Sequence, residues 1–450
     1  MGANIAGPSG SGFRRAVLTG LFVAGFAGGE SLAQSFQTIG TGLSWGRFNV
    51  HPSVAMDYGY DSNVFYSSDD LDNPAGIVSS REFRMQPRFL FDLPMGDNWL
   101  RWAYAPVFRN YSTDAYTPTK QWSQNFDLDG HLRLGPRFYT TFRDQFVLGT
   151  EELRNVDPGG EVNFGDTPFR DHSPSVEVGC NLGARQGVSV VWNYNSVQFQ
   201  GDEAGFYNYR GHGLQARYNY RVSNATTTYV YAGEDNTQQE RFTPVEETID
   251  VDTLSAGVGL NQVLNRSVTT SFMAGYQAIN YTGGSVSDYR GAVLSANATW
   301  LLSDVTRLSF LVRRQPYSSF YLNNNYYLNR AVGVNLTRQS GASWYWRVGG
   351  GFENNTYSDP LDITGFEFAY CGLDASNTLV CPSAGAIRRD RAWRLEGGVG
   401  GQASRTVRWF VGYTTQSRSS NILQADADGF GDPFAYNVNR LFLRIEVGWL

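Results

Sequence analysis

Residues 441–450 read LFLRIEVGWL. Leu441, Leu443, Ile445, Val447 and Trp449 alternate with Phe442, Arg444, Glu446 and Gly448. A two-residue period puts the first set on one face of a strand and the second on the other. One face is oily and the other carries charge, so the strand lies between two different media. Soluble domains commonly finish in a poorly ordered polar stub. Here the alternation continues to Leu450, as expected of a terminal strand that must pair with the first to remove a sheet edge.

The same alternation recurs along the chain. Phe83, Met85, Pro87, Phe89, Phe91 and Leu93 interleave with Arg84, Gln86 and Arg88. After the turn PMGD, Leu100, Trp102, Tyr104, Pro106 and Phe108 interleave with Arg101, Ala103 and Arg109. Eight such hairpins can be traced, the last pairing Trp393, Leu395 and Val399 with Val407, Trp409 and Tyr413. Their inner turns are short, whereas polar stretches rich in Asp, Asn, Gly and Ser join neighbours, as at 149–172, 234–251, 353–390 and 417–436. Short turns on one side and long loops on the other are the pattern of an outer-membrane barrel. The expected fold is all-β: a single transmembrane antiparallel β-barrel with short periplasmic turns and long extracellular loops. A first strand at Val50, Val54, Met56 and Tyr58 and a closing strand at 441–450 raise sixteen strands to eighteen. A soluble β-sandwich would also alternate, but would not need an oily face on every strand. Pro52, Pro87 and Pro106 fall inside the first three strands and each removes a ladder donor, which predicts bulges or a locally irregular wall.

The totals fit one unit. The chain has 450 residues, 15% of them aromatic, and 50 glycines, with no linker dividing it. Its one continuous apolar run follows Arg14 and Arg15 and ends at Ser31-Leu32-Ala33, the layout of a secretory signal peptide. A membrane-spanning helix needs about 20 apolar residues, and this run is shorter and broken by glycine. The expected division is a signal peptide at 1–33, a periplasmic segment at 34–47 and the barrel at 48–450. A net charge of −6 speaks against nucleic acid as a partner. Of the three cysteines, Cys371 and Cys381 share a polar loop of an exported chain and are expected to form a disulfide. Cys180, in line with Val176, Val178 and Leu182, reads as a buried small hydrophobe.

Residues 50–66, VHPSVAMDYGYDSNVFY, carry a resemblance. Pro52-Ser53-Val54 at the entry to the first strand, Tyr60-Asp61-Ser62-Asn63-Val64-Phe65 at its far end and Pro87 in the second strand resemble the outer-membrane β-barrel porins of proteobacteria. Some members of that family are encoded within exopolysaccharide operons. The likeness in layout covers about 48–450. It implies a barrel in outer-membrane lipid that helps polysaccharide leave the cell, with periplasmic polysaccharide-export components as partners. It carries no catalytic residues. The terminal strand also resembles the signal read by the barrel-assembly machinery, although here Trp449 is penultimate and Leu450 last.

Chemistry other than transport finds little support in the sequence. His131 shares a face with Asp127 and Asp129, which could orient an imidazole, but no serine is singled out as a nucleophile, so no enzyme is expected. A phosphate loop needs a Gly-rich run ending in lysine, and Lys120, the one lysine, lacks the glycines. Gly349–Gly351 and Gly397–Gly401 read as close strand packing. The D-x-D-G turn in 426–432 lacks the full spacing of a calcium loop and reads as an acidic surface loop, so no metal or cofactor is expected.

The inward face is more informative. By parity Arg84, Arg88, Arg101, Arg109, Arg133, Arg143, Arg217, Arg347, Arg394 and Arg444 line the pore, with Arg313, Arg408 and Arg440 on the same face. Glu82, Asp92, Asp127, Asp129, Glu177, Glu396 and Glu446 accompany them. The expected function is a channel passing hydrophilic, anionic solutes or exported exopolysaccharide. In the opposing outcome the charges pair off, Arg394 and Arg444 with Glu396 and Glu446. The alternative is a surface-interaction barrel with a plugged lumen and partner-binding extracellular loops.

Overall fold

The computed structural model describes residues 42–64, 66–68, 77–113, 120–150, 168–200, 208–242, 246–265, 267–282, 287–319, 324–341, 343–363, 371–373, 378–426 and 429–448. The signal-peptide region, Trp449 and Leu450 lie outside them. Eighteen strands form the wall. They are β1 (Phe48–Asp61), β2 (Ser80–Met95), β3 (Asn98–Tyr111), β4 (Lys120–Leu134), β5 (Phe138–Gly149) and β6, in two pieces (Phe169–His172 and Ser175–Asn181). Next come β7 (Gln186–Phe199), β8 (Tyr209–Ser223), β9 (Thr226–Phe242), β10 (Glu246–Val263), β11 (Val268–Thr282) and β12 (Tyr289–Ser303). The last six are β13 (Thr306–Ser318), β14 (Tyr326–Ser340), β15 (Trp344–Pro360), β16 (Ile387–Gln402), β17 (Val407–Ser420) and β18 (Tyr436–Gly448).

Each strand pairs antiparallel with its sequence neighbours, and β1 pairs with β18 from Ser53↔Gly448 to Asp61↔Arg440. The sheet is therefore a closed antiparallel barrel. Closure is what lipid demands, because an unpaired backbone group in hydrocarbon costs several kcal/mol. Leu441, Leu443 and Val447 lie on the outer surface at 55%, 39% and 39% exposure. The same outward alternation gives Leu254, Val258, Val332, Val334, Phe352, Leu395 and Val411 large exposed areas. This inverts a soluble core, and it is the surface expected of a wall facing acyl chains. Cys180 belongs to it. It is half-exposed beside the outward Val176 and Val178, not buried as its apolar neighbours suggested.

Two expectations about the wall change. Pro87 stands opposite Pro106 in the β2–β3 register, and the ladder lapses only between Met85↔Phe108 and Phe89↔Tyr104. Both missing donors thus fall in one gap, and no bulge is needed because the register is the same on either side. Pro52 lies one residue beyond Ser53↔Gly448, the last pairing of β1 with β18 among the described residues. Within the stretch 234–251, residues 234–242 and 246–251 are strand and not loop. β9 and β10 remain paired from Thr226↔Gln262 to Phe242↔Glu246. Likewise 353–360 and 387–390 continue β15 and β16. Of the 34–47 segment, Leu43–Trp45 folds back to pair with Phe48–Val50.

Candidate functional site: the inner wall

Strand parity delivers side chains to the lumen in rows. One row runs Arg444↔Asp57↔Arg84↔Arg109 across β18, β1, β2 and β3. Arg444 Nε donates to Asp57 Oδ1 at 2.6 Å and its Nη2 to Oδ2 at 3.2 Å. Arg84 Nη2 lies 3.5 Å from Gln86 Oε1, and Arg109 Nε meets Glu82 Oε1 at 2.8 Å. Arg440 bridges Asp61 at 3.1 Å and Glu82 at 2.9 Å. Lower on the wall Arg101 Nε meets Asp92 Oδ1 at 3.0 Å, Arg143 lies 4.0 Å from Asp129, and Arg88 stands opposite Ser53. Arg394 meets Glu396 at 3.2 Å.

Other arginines are held by rings and amides. The Arg217 guanidinium lies 4.9 Å from the Tyr229 ring centre and donates to Gln215 Oε1 at 3.0 Å. Arg347 lies 4.5 Å from the Phe410 ring centre. These inward rings lie on neighbouring glycines: Tyr229 covers Gly259, and Phe410 covers Gly398. A side chain at either glycine would collide with the ring. Arg133 sits at the short-turn rim, donating to Asp97 at 3.0 Å.

At the extracellular end of β13–β17 the inward face is fully buried. Asp390 accepts from both Nε and Nη2 of Arg388, at 3.0 and 2.8 Å, from Arg418 and from the Tyr357 hydroxyl at 3.3 Å. The Arg388 guanidinium is stacked between the Tyr357 and Phe434 rings, 4.3 and 3.4 Å from their centres. Arg313 Nε donates to Asn329 Oδ1 at 3.1 Å, and Asn329 Nδ2 donates to Asn355 Oδ1 at 2.7 Å. Residues 378–386 and 421–426 are tied to each other, Ser383 Oγ donating to Leu423 O at 2.8 Å and accepting from Leu423 N at 2.6 Å, while Phe434 brings its ring onto Arg388 of the wall. The Cys371 and Cys381 sulfurs are bonded to each other, with Cα atoms 4.2 Å apart.

Sequence parity missed Asp57, Asp61, Arg388, Asp390 and Arg418. The signal for Asp57 was present, since Met56 and Tyr58 are its outward neighbours. Arg444 pairs with Asp57 and not with Glu446. His131 Nδ1 lies 3.3 Å from Thr141 Oγ1 and its ring stands between Trp99 and Tyr139. Of the 426–432 turn, residues 427 and 428 lie outside the described residues. Asp432 is spent on backbone, accepting from Phe434 N at 2.9 Å. Among the described residues no cluster of His, Cys, Asp and Glu could hold a metal ion.

Residues 182–366 match the model of the family described as "Putative beta-barrel porin 2". The chain is a closed β-barrel of the outer membrane, similar to that family over about two-fifths of its length. No curated relative matches it. Among solved structures it is similar to OpdK from Pseudomonas aeruginosa, at 9% identity over 89% of this chain and 99% of that one, with a TM-score of 0.45. OpdO from the same organism gives 10% identity, 89% and 98% coverage and a TM-score of 0.45. The siderophore receptor PirA, again from Pseudomonas aeruginosa, gives 10%, 89% and 80%, with 0.41.

Proposed function

We propose that the channel passes hydrophilic solutes with a preference for anions. The observation that carries this reading is that several inward arginines have no carboxylate of their own, although others on the same wall are paired. Asp390 is shared by Arg388 and Arg418. Arg217 and Arg313 are held by an amide oxygen and a ring, with no carboxylate within 4.0 Å among the described residues. Guanidinium grips carboxylate and phosphate in a bidentate fork. A series of such groups suits weak serial binding of small acids or of an acidic exopolysaccharide chain, the narrower substrate that the family resemblance suggests. Export of such a chain would add periplasmic polysaccharide-export components as partners. A salt-gradient reversal potential in a planar bilayer tests the preference; a cation-selective pore would overturn it.

A second reading, a surface barrel whose loops bind partners, is favoured by one feature. The inward face of β13–β17 is buried at its extracellular end, where Phe434 stacks on Arg388 and the Ser383 and Leu423 loops are tied together. Bilayer insertion without conductance would select that reading.

A further inference from the structure

One sector of the outer surface carries a row of arginines just beyond its apolar band. Across β13, β14, β15 and β16 the row Val312↔Val332↔Phe352↔Trp393 faces outward, exposed by 39–49%. Two residues further along each strand, about 7 Å towards the extracellular end, the next outward row is Arg314↔Arg330↔Asn354↔Arg391. Arg330 and Arg391 are exposed, and among the described residues neither has an acidic partner. Arg314 donates to the Tyr289 hydroxyl at 3.2 Å. Arg314 and Arg330 stand directly opposite each other, an arrangement that is unfavourable for like charges unless an anion lies between them.

We propose that this row binds the phosphates of lipopolysaccharide, the phosphorylated glycolipid of the outer leaflet, in one sector of the barrel. The position argues for lipid. The apolar row takes acyl chains while the arginines, at the height where the apolar band ends, take the head-group phosphates through charge-assisted hydrogen bonds. The sector is confined: on β9 and β10 the corresponding outward positions include the exposed acids Glu234, Asp250 and Asp252, so the rim is not uniformly basic. A bound glycolipid would relieve the repulsion within the row and fill the space between side chains spaced one strand apart.

The test is native mass spectrometry of the detergent-purified barrel titrated with bisphosphorylated lipid A. Dephosphorylated lipid A of the same acylation is the comparator. Each basic residue near an anionic lipid surface contributes about fivefold, so Arg330→Gln/Arg391→Gln should weaken retention on the order of 25-fold. Removing the phosphates should do at least as much to the wild type, and Arg330→Lys/Arg391→Lys should recover most of the binding. Both variants change exposed side chains and should keep the heat-modifiable folded band; if the Gln variant does not, the Lys variant and the phosphate comparison still decide. Equal retention of the two lipids, or unchanged retention in the Gln variant, would overturn the proposal. So would loss of a barrel–barrel species in that variant with lipid binding intact, which would assign the row to a second copy docking through its acidic sector.

Discussion

Asp57 of β1 and Arg444 of β18 meet across the seam that closes the barrel, joined by two hydrogen bonds of 2.6 and 3.2 Å. The first and last strands are thus fastened by side chains on the inner wall as well as by the ladder. A two-bonded charged pair, two-thirds or more shielded from water, contributes about 1–3 kcal/mol when one partner is removed. Asp57→Asn should lower the temperature at which the folded band is lost in heat-modifiability gels. Asp57→Asn/Arg444→Gln should recover part of the loss, because no guanidinium is then left unmatched. Equal stability of Asp57→Asn and wild type would remove the seam pair from the account.

Deletion of 441–450 takes away the pairing partner of β1 from Ser53 to Tyr60 and that of β17 from Val407 to Tyr413. The expected result is no heat-modifiable, membrane-inserted protein, assayed by outer-membrane fractionation. Normal insertion of the truncated chain would show that the wall closes some other way.

Gly259 lies under the Tyr229 ring. Gly259→Val should destabilise the folded barrel by about 1–3 kcal/mol, the cost of overpacking. Gly259→Val/Tyr229→Ala should be less affected than Gly259→Val alone, since the ring that collides is gone. Denaturant titration in detergent reads both, and additivity of the two changes would refute the contact.

Cys371 and Cys381 should resist a membrane-impermeant thiol reagent applied to intact cells until a reductant is added. Labelling of both without reductant would refute the disulfide.

Arg217→Ala should reduce anion preference in the open channel without changing the folded state. The wild-type preference should itself fade at high salt as screening shortens the reach of the charges. An Arg217→Ala channel with wild-type reversal potential would move the selectivity elsewhere on the wall.

Most of the wall was legible because each strand is wet on one side and oily on the other where it crosses lipid. The closing strand and the hairpins followed from that period. The signal fails above the membrane. In 234–242, 246–251, 353–360 and 387–390 polar residues outnumber apolar ones, so paired strands resemble loops in the sequence. The Arg388–Asp390–Arg418 network was lost with them. Pro87 and Pro106 could be placed in adjacent strands, but only the register shows that they face each other. Cys180 exposes a different ambiguity: an apolar strand face looks the same whether it meets protein or lipid.

The rings seated on inner-wall glycines also bear on movement. A ring packed tightly against its neighbour cannot rotate about its Cβ–Cγ bond unless the wall gives, so Tyr229 and Phe410 should show slow ring flips in NMR spectra of the barrel. The stacked guanidinium arms of Arg217 and Arg347 are long and jointed by comparison. A solute passing these positions would meet stiff plates carrying pliable charges, and its dwell times would follow rearrangement of the arginines, with the wall itself holding still.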